Sequence, residues 1–387
     1  MSEPACLMPT VCHFTTVHRP FDVRVFHREA CGIAHAGYRV VLIAHADFHQ
    51  RMERGVLIKG VPRAKNRLQR IAHTATFVRL AIRQRADLYH FHDPELLPGG
   101  VLIKWLYRRP VIYDCHENFP ETAFERVWYP AFFKPYLAKA VAVFEPLLAR
   151  RLDAVVCVVP DQEDRFRSHG CRTLLVRNFP RLEPFDEAFR AAPAKENRLI
   201  YVGGLTVVKG ARMLVDIMRE LRVLRRGVRL VAIGSFNEEK VKTEVLRYAQ
   251  EQGVADVMEF LEYRPHEEIP RELLKARIAL VPWQENEQTL RMFFPNKVFE
   301  YMACGLPIVA SDLPSLRHVI GKAGCGLLVR PDDARAHAEA ITYLLDHPRV
   351  ARRMGLAGRK TVHALYRWEN EEARLLQLYR ELLPTQC

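Results

Sequence analysis

Short apolar runs recur from one end of the chain to the other, separated by longer stretches whose apolar residues fall at helical spacing. In the first half the runs are VCHFTT, YRVVLIAH, GVLIKGV, DLYHFH, PVIYDCH, AVVCVV and TLLVRN. In the second half they are RLIYVGG, VRLVAIG, VMEFLEY, IALVPW, PIVASD and GCGLLV. Strands that alternate with helices in this way predict parallel sheets joined by right-handed crossovers. Between the two sets lies FPRLEPFDEAFRAAPAKENR, with Pro180, Pro184 and Pro193 among many charges, which reads as a linker. The expected architecture is α/β, with two Rossmann-like, doubly wound parallel-sheet units over residues 1–185 and 190–365. The closing YRWENEEARLLQLYRELL is an amphipathic helix over about 366–387 that is free to pack back on the first unit. Two open sheets facing each other set strand C-terminal ends around a central cleft, the usual ligand position in such folds.

One stretch, FFPNKVFEYMACGLPIVAS, carries a more specific pattern. Pro295 suits a first helical turn, where its missing N–H costs nothing. Val298, Phe299 and Met302 form an apolar face, and Gly305 with Pro307 ends the helix before a buried strand. Lys297 and Glu300 are i,i+3 neighbours at the start of this helix. They read either as a surface ion pair or as a cation and a carboxylate at a helix N-terminus, where the backbone already favours an anion.

Composition narrows the class. The 387 residues are 49% hydrophobic and 27% charged, ordinary for a globular protein of about two domains. No uncharged apolar run reaches the length of a membrane span, and MSEPACLMPTVCHFTT lacks the basic start and apolar core of a signal peptide. A cytoplasmic location is the expectation. The nine cysteines are scattered without a CxxC pair, as in a protein with reduced, buried thiols. The net charge of +13 is uneven: residues 51–85 hold ten Lys or Arg against the single acid Glu53. Within them, KNRLQRIAHTATFVRLAIRQR places Leu68, Ile71, Ala72, Ala75, Val78 and Ile82 at helical spacing, with arginines opposite. This is either a solvated helix face or a patch for anionic lipid head groups or a phosphorylated acceptor. No nucleic-acid reading motif accompanies it, so nucleic acid is not an expected partner.

Candidate chemistry falls just after the strands. Gly203-Gly204 follows LIYV, and Lys209-Gly210 precedes a helical stretch. Glycines at a strand-to-helix turn let the backbone approach a phosphate, although the pattern is neither GxGxxG nor a Walker loop. With Lys297, Lys209 makes two cations for a diphosphate. In the first half, YHFHDPELL supplies His90, His92, Asp93 and Glu95, and YDCHENFPE supplies Asp114, His116, Glu117 and Glu121. Neither cluster has HExxH or HxHxDH spacing, so no metal is expected; hydrogen bonds to sugar or acceptor hydroxyls suit them better, with His90 a structural residue. TTVHRPFDVRVFHREA sets His18, Arg19, Asp22 and Arg24 in the first loop, Arg24 being either a phosphate or acceptor contact or a helix-start partner of Asp22.

These motifs taken together resemble a known family. YVGGLTVVKG, FFPNKVFEYMACGLPIVASDLP, GCGLLVRPDD, RRMGLAGRKTV and YRWENEEARLLQLYREL are similar to the C-terminal half of family 4 retaining glycosyltransferases of the GT-B fold. FDVRVFHREACGIAHAGYRVVLIA, DLYHFHDPELL and VIYDCHE resemble the branch that builds bacterial surface polysaccharides. The resemblance is collinear over about residues 11–380. It implies transfer of a sugar from a nucleotide diphosphate sugar, UDP by family habit, to a glycan or lipid-linked acceptor, with retention and without a metal. It implies Lys209 as the phosphate-binding lysine, Gly203 at the turn beside the diphosphate, and Glu300 on the ribose hydroxyls. Tyr263 and Arg264 fall beside the base, Asn296 and Lys297 on the donor, and His116 near the donor sugar and reaction centre. Arg24, His92, Asp93 and Glu117 are then acceptor-side residues, and an anionic membrane surface at residues 51–85 would suit a lipid-linked acceptor. Two positions depart from the family: its first phosphate arginine is Gly204 and its first acid is Met292. Lys297 is the replacement for the cation, and Glu285 or Glu287 for the acid. The rival expectations are a nucleotide-sugar epimerase or hydrolase of the same fold, and a binding subunit without activity.

Overall fold

The computed structural model describes residues 8–63, 67–116, 134–262, 264–265, 267–286, 289–290 and 296–383. They divide into two compact units, one of Met1–Asn178 with Glu369–Cys387 and one of Phe179–Trp368.

The first unit is built on β1 (Thr10–Phe14), β2 (Arg39–His45), β3 (Gln50–Glu53), β4 (Val56–Val61), β5 (Leu88–Phe91), β6 (Val111–Cys115), β7 (Ala154–Cys157) and β8 (Thr173–Leu175). The sheet order is β3-β4-β2-β1-β5-β6-β7-β8. Every pairing is parallel except β3 with β4, which corrects the expectation of purely parallel sheets. Gln50–Glu53 is a polar, mostly exposed edge strand with no apolar run to announce it. It exists because Arg54 (φ 46°) and Gly55 (φ 79°) both adopt the left-handed conformation that a two-residue hairpin requires.

The second unit carries β9 (Arg198–Val202), β10 (Arg229–Ile233), β11 (Met258–Leu261), β12 (Ile278–Val281), β13 (Ile308–Ser311) and β14 (Gly326–Val329), in the order β11-β10-β9-β12-β13-β14, all parallel. Its strands are apolar on both faces because both faces are covered. In β9, Ile200 packs into one core with Phe299 and Met302, while Leu199 and Tyr201 pack into the other with Leu214 and Ile217. Continuous apolar runs, not alternating ones, are the signature of such a doubly covered sheet. Strand order reverses beside β1 in one sheet and beside β9 in the other, and both candidate sites lie at these switch points.

The segment read as a linker is structured. Glu183–Arg190 is a helix with Pro184 in its first turn and Phe185 buried in the second unit's core. The division of the chain falls at Asn178, before this helix. The last helix, Trp368–Leu382, lies mostly in the first unit, where Glu371 accepts from the Arg177 backbone N–H at 2.9 Å. Seven described cysteines are unpaired and six of them buried. Among the described residues, no helix is long and apolar enough to cross a membrane.

Candidate active site

The second unit gathers cations around a glycine turn. Gly203, directly after β9, has φ 128°, a conformation that side chains rarely adopt. A Cβ there would stand 2.7 Å from Lys297 Nζ, and one on Gly204 would stand 3.9 Å from Lys209 Nζ. The two ammonium groups thus converge on adjacent residues of one turn. Gly234, at the end of β10, closes the turn from behind: a Cβ on it would meet the Gly203 carbonyl oxygen at 2.1 Å.

Lys297 starts the Asn296–Ala303 helix, of which Val298 to Ala303 are all buried. Its stem carries the ammonium inward, 3.9 Å from the centre of the Tyr201 ring and 5.5 Å from Trp283. Nζ is buried and has no hydrogen-bond partner among the described residues. Burial, and then repulsion from Lys209, lower its pKa well below the usual lysine value, against the opposing pull of Glu300. This is not a surface ion pair. Glu300 is itself buried, one turn further along the helix.

The first unit gathers histidines instead. Register pairs His13 of β1 with His90 of β5. His92 follows β5, Asp114 lies in β6 and His116 comes just after it. His116 Nε2 is 2.8 Å from His92 Nδ1, and His92 Nε2 is 3.0 Å from His13 Nδ1. His13 Nε2 is 3.0 Å from the Tyr379 hydroxyl, which lies 2.6 Å from His90 Nδ1. His90 Nε2 faces Asp114 at 3.6 Å. Burial lowers the pKa of all four rings, that of His116 to about 3, so they are neutral near pH 7. For Asp114, burial acts upward, but the Arg24 guanidinium beside it outweighs that and holds the carboxylate well below its usual range. Burial and the Asp114 charge raise Glu29 well above its own.

Arg24 is at the centre of this cluster. Its Nη2 donates to both Asp114 oxygens at 3.2 and 3.1 Å, Nε stands 2.9 Å from Glu29, and Nη1 donates to the Val176 carbonyl at 3.0 Å. The guanidinium therefore serves a buried network, and Asp22 instead caps the Val23–Ala30 helical turn through the N–H groups of Arg24 and Val25. Among the described residues, Glu29, His90, His92 and Asp114 form a group with metal-ligand chemistry, their ligand atoms within 4.8 Å of one another. Arg24 already sits against both carboxylates, and other imidazoles engage both nitrogens of His92. Both Glu29 oxygens and His90 Nε2 nonetheless lack a hydrogen-bond partner among the described residues.

Asp93 is buried too, accepting from Thr15 Oγ1 at 2.7 Å and Thr16 N at 2.6 Å, and so ties the loop after β1 to the end of β5. Arg264 is exposed and pairs with Glu268 at 3.4 Å. Asn296 and Glu285 are exposed. Tyr263, Glu117, Glu121, Glu287 and Met292 lie outside the described residues. Sequence reasoning missed His13, Glu29, Gly234, Tyr201, Trp283 and Tyr379. Gly234 ends its own apolar run, as Gly203 does, and was legible on that ground. Tyr379 was not, for 289 residues separate it from His90.

The two units match two described domain families. Residues 183–361 match "Glycosyl transferases group 1" and residues 23–180 match "Glycosyl transferase 4-like domain". Over 189 residues the chain is 31% identical to an MMP alpha-(1->4)-mannosyltransferase of Mycolicibacterium hassiacum, covering 48% of this chain and 44% of that one. The chain spans about half the length of the first curated relatives it matches. Sucrose-phosphate synthase of Thermosynechococcus elongatus superposes with a TM-score of 0.72 at 21% identity, over 97% of this chain and 99% of that one. The Anabaena HepE protein, solved with UDP-glucose, superposes at 0.68 and 15% identity, over 96% of this chain and all of that one. The fold is GT-B, and the matches support a GT-B glycosyltransferase of the GT4 type.

Proposed function

We propose that the chain transfers a sugar, with retention and without a metal, from a nucleotide diphosphate sugar to a glycan or lipid-linked acceptor. The observation that carries this reading is the buried, unpartnered Lys297 ammonium beside the Gly203 turn, with Lys209 at the next residue. A buried cation without an anion is costly in a protein that does nothing with it. Two cations on a turn free of side chains suit a diphosphate, and they stabilise charge that grows on the leaving phosphate. Glu300 serves the ribose hydroxyls, with Asn296, Tyr263 and Arg264 on the remainder of the nucleotide. In the first unit His116 serves the transferred sugar or its acceptor, supported by His92 and Asp93. UDP is the favoured donor, in keeping with the UDP-glucose held by HepE. A role in surface-polysaccharide synthesis rests on the N-terminal motifs, and peripheral membrane association on the basic residues 51–85.

Thermal unfolding with UDP, GDP, ADP, dTDP and CMP, all with EDTA, tests the donor half. A ligand at about 100 times its dissociation constant adds about 2.7 kcal/mol to stability. A shift with one nucleotide diphosphate alone is expected. No shift with any nucleotide, nor with the intact nucleotide sugars, overturns the reading.

A further inference from the structure

The histidine cluster has a direction. Asp114 is ionised and stands 3.6 Å from His90 Nε2, beyond hydrogen-bond length but near enough for its charge to favour the proton on that nitrogen. Neutral His90 then has a bare Nδ1, and the Tyr379 hydroxyl 2.6 Å away must donate to it. With its proton committed, the Tyr379 oxygen accepts from His13 Nε2–H. His13 Nδ1 is therefore bare and accepts from His92 Nε2–H, and His92 Nδ1 in turn accepts from His116 Nε2–H. The opposite sense would aim a bare His90 lone pair at the Asp114 carboxylate. Asp114 Oδ1 also lies 3.7 Å from His116 Nε2, which favours a proton there for the same reason; the bare His92 Nδ1 lies farther from carboxyl oxygens, 3.9 Å from Glu29 and 4.0 Å from Asp114, a weaker pull in the opposite sense. Each ring's tautomer is thus set by the partner of its other nitrogen.

Only one end of this chain reaches the surface. His13, His90 and His92 are fully buried side chains, whereas His116 is 10% exposed. His18, itself hydrogen-bonded to Asp22 at 3.4 Å, packs on the His116 ring with centroids 4.7 Å apart.

We propose that Asp114, His90, Tyr379, His13 and His92 form a positioning relay that locks His116 in its Nε2–H tautomer and presents a bare Nδ1 to a substrate hydroxyl. The relay deepens the proposed glycosyl transfer and rests on that reading for its purpose, but its tautomers exist without substrate. It also assigns a task to the C-terminal helix, which contributes Tyr379 to a site whose other members lie within the first 116 residues. Tyr379 acts through His116 and touches no substrate; it is a positioning residue.

Long-range nitrogen–proton NMR of histidine-labelled protein, with rings assigned through single His→Gln variants, reads the tautomers directly. In the native chain His116 is expected as a neutral Nε2–H ring near pH 7. Tyr379→Phe removes one oxygen and cuts the relay between His90 and His13. It should convert His116 to a mixture of tautomers and lower kcat about 10- to 100-fold, the scale known for partners that orient metal-binding histidines, with donor KM unchanged. His90→Asn keeps an acceptor where Nδ1 stood, so the Tyr379 hydroxyl still has somewhere to donate, and His116 should remain Nε2–H. A native Nδ1–H tautomer at His116 overturns the relay, as does a Tyr379→Phe protein with native tautomers. Failure of the glycosyl-transfer reading would show separately, as absent turnover in a native chain whose tautomers are as described.

Discussion

Lys297 is the residue at which stability and function pull apart. Its ammonium is desolvated, faces Lys209, and gains only an aromatic face and the more distant Glu300 in return. Lys297→Met keeps the stem and removes the charge. It should stabilise the free protein by roughly 1–3 kcal/mol, the usual scale of an unsatisfied buried donor, and abolish the thermal shift given by the donor nucleotide. Calorimetric unfolding with and without nucleotide measures both, and a destabilised variant that still binds would refute the role. Lys209→Ala should instead leave the fold intact and cost turnover of the order of 10²-fold or more, as for loss of a preorganised charge-stabilising group. The lowered pKa of Lys297 adds a pH sign. The charged form binds the diphosphate, and burial disfavours that form, so above the lowered pKa binding must take up a proton. Donor affinity should therefore fall as pH rises, and titration calorimetry in buffers of different ionisation enthalpy should show proton uptake.

At the scale of elements, three strand ends hold the histidines neutral, and this makes the first unit acid-sensitive. His13, His90, His92 and His116 all have pKa values lowered by burial from 6.5. Below about pH 6.5 the unfolded chain binds protons that the folded chain refuses, so stability is full above that pH and falls as pH drops toward the folded values. Each ring contributes at most about 1.4 kcal/mol per pH unit, so the four together make the loss steeper than one ring would as pH falls below about 6.5. Unfolding midpoints across this range test it, and His13→Gln should flatten the slope. The same strands show what a sequence discloses. Doubly covered strands announce themselves as apolar runs, and all the runs singled out are strands. The exposed β3 has a polar sequence and was invisible, because only its hairpin turn specifies it. The Glu183–Arg190 helix hid behind its prolines and charges, although Pro184 at a first turn starts a helix instead of breaking one. In the site, glycines and lysines after strands were legible because position alone gives them meaning. Arg24 was not: only the fold brings Asp114, 90 residues away, against it.

For the whole molecule, the excess charge has a neighbour that composition does not reveal. The connections β4 to β5, β5 to β6 and β6 to β7 all step in one direction along the first sheet, so right-handed crossovers put their helices on one face. These are Arg67–Arg83, Leu97–Tyr107 and Lys134–Ala149, each packed on the next. Arg79 and Arg83 are exposed on the first of them. On the next two, Leu102, Trp105, Leu106, Val143 and Phe144 point to solvent, Trp105 at 75% exposure and Phe144 at 62%. Isolated apolar residues on a surface need no explanation, but several on two packed helices beside a third that exposes arginines do. An aromatic and aliphatic centre beside basic side chains matches the interface of an anionic bilayer, with each arginine near the surface worth about 1 kcal/mol. That is where a lipid-linked acceptor would be found. The protein should float with vesicles containing anionic lipid at physiological salt and less with neutral ones, and Trp105→Glu with Phe144→Glu should abolish flotation. Arg79→Glu with Arg83→Glu should weaken it and reduce its salt dependence. Absence of binding to anionic vesicles would sink the membrane assignment. If Trp105→Glu instead lowers the mass measured by sedimentation, the face joins two copies of the chain, and the basic helix beside it needs another partner.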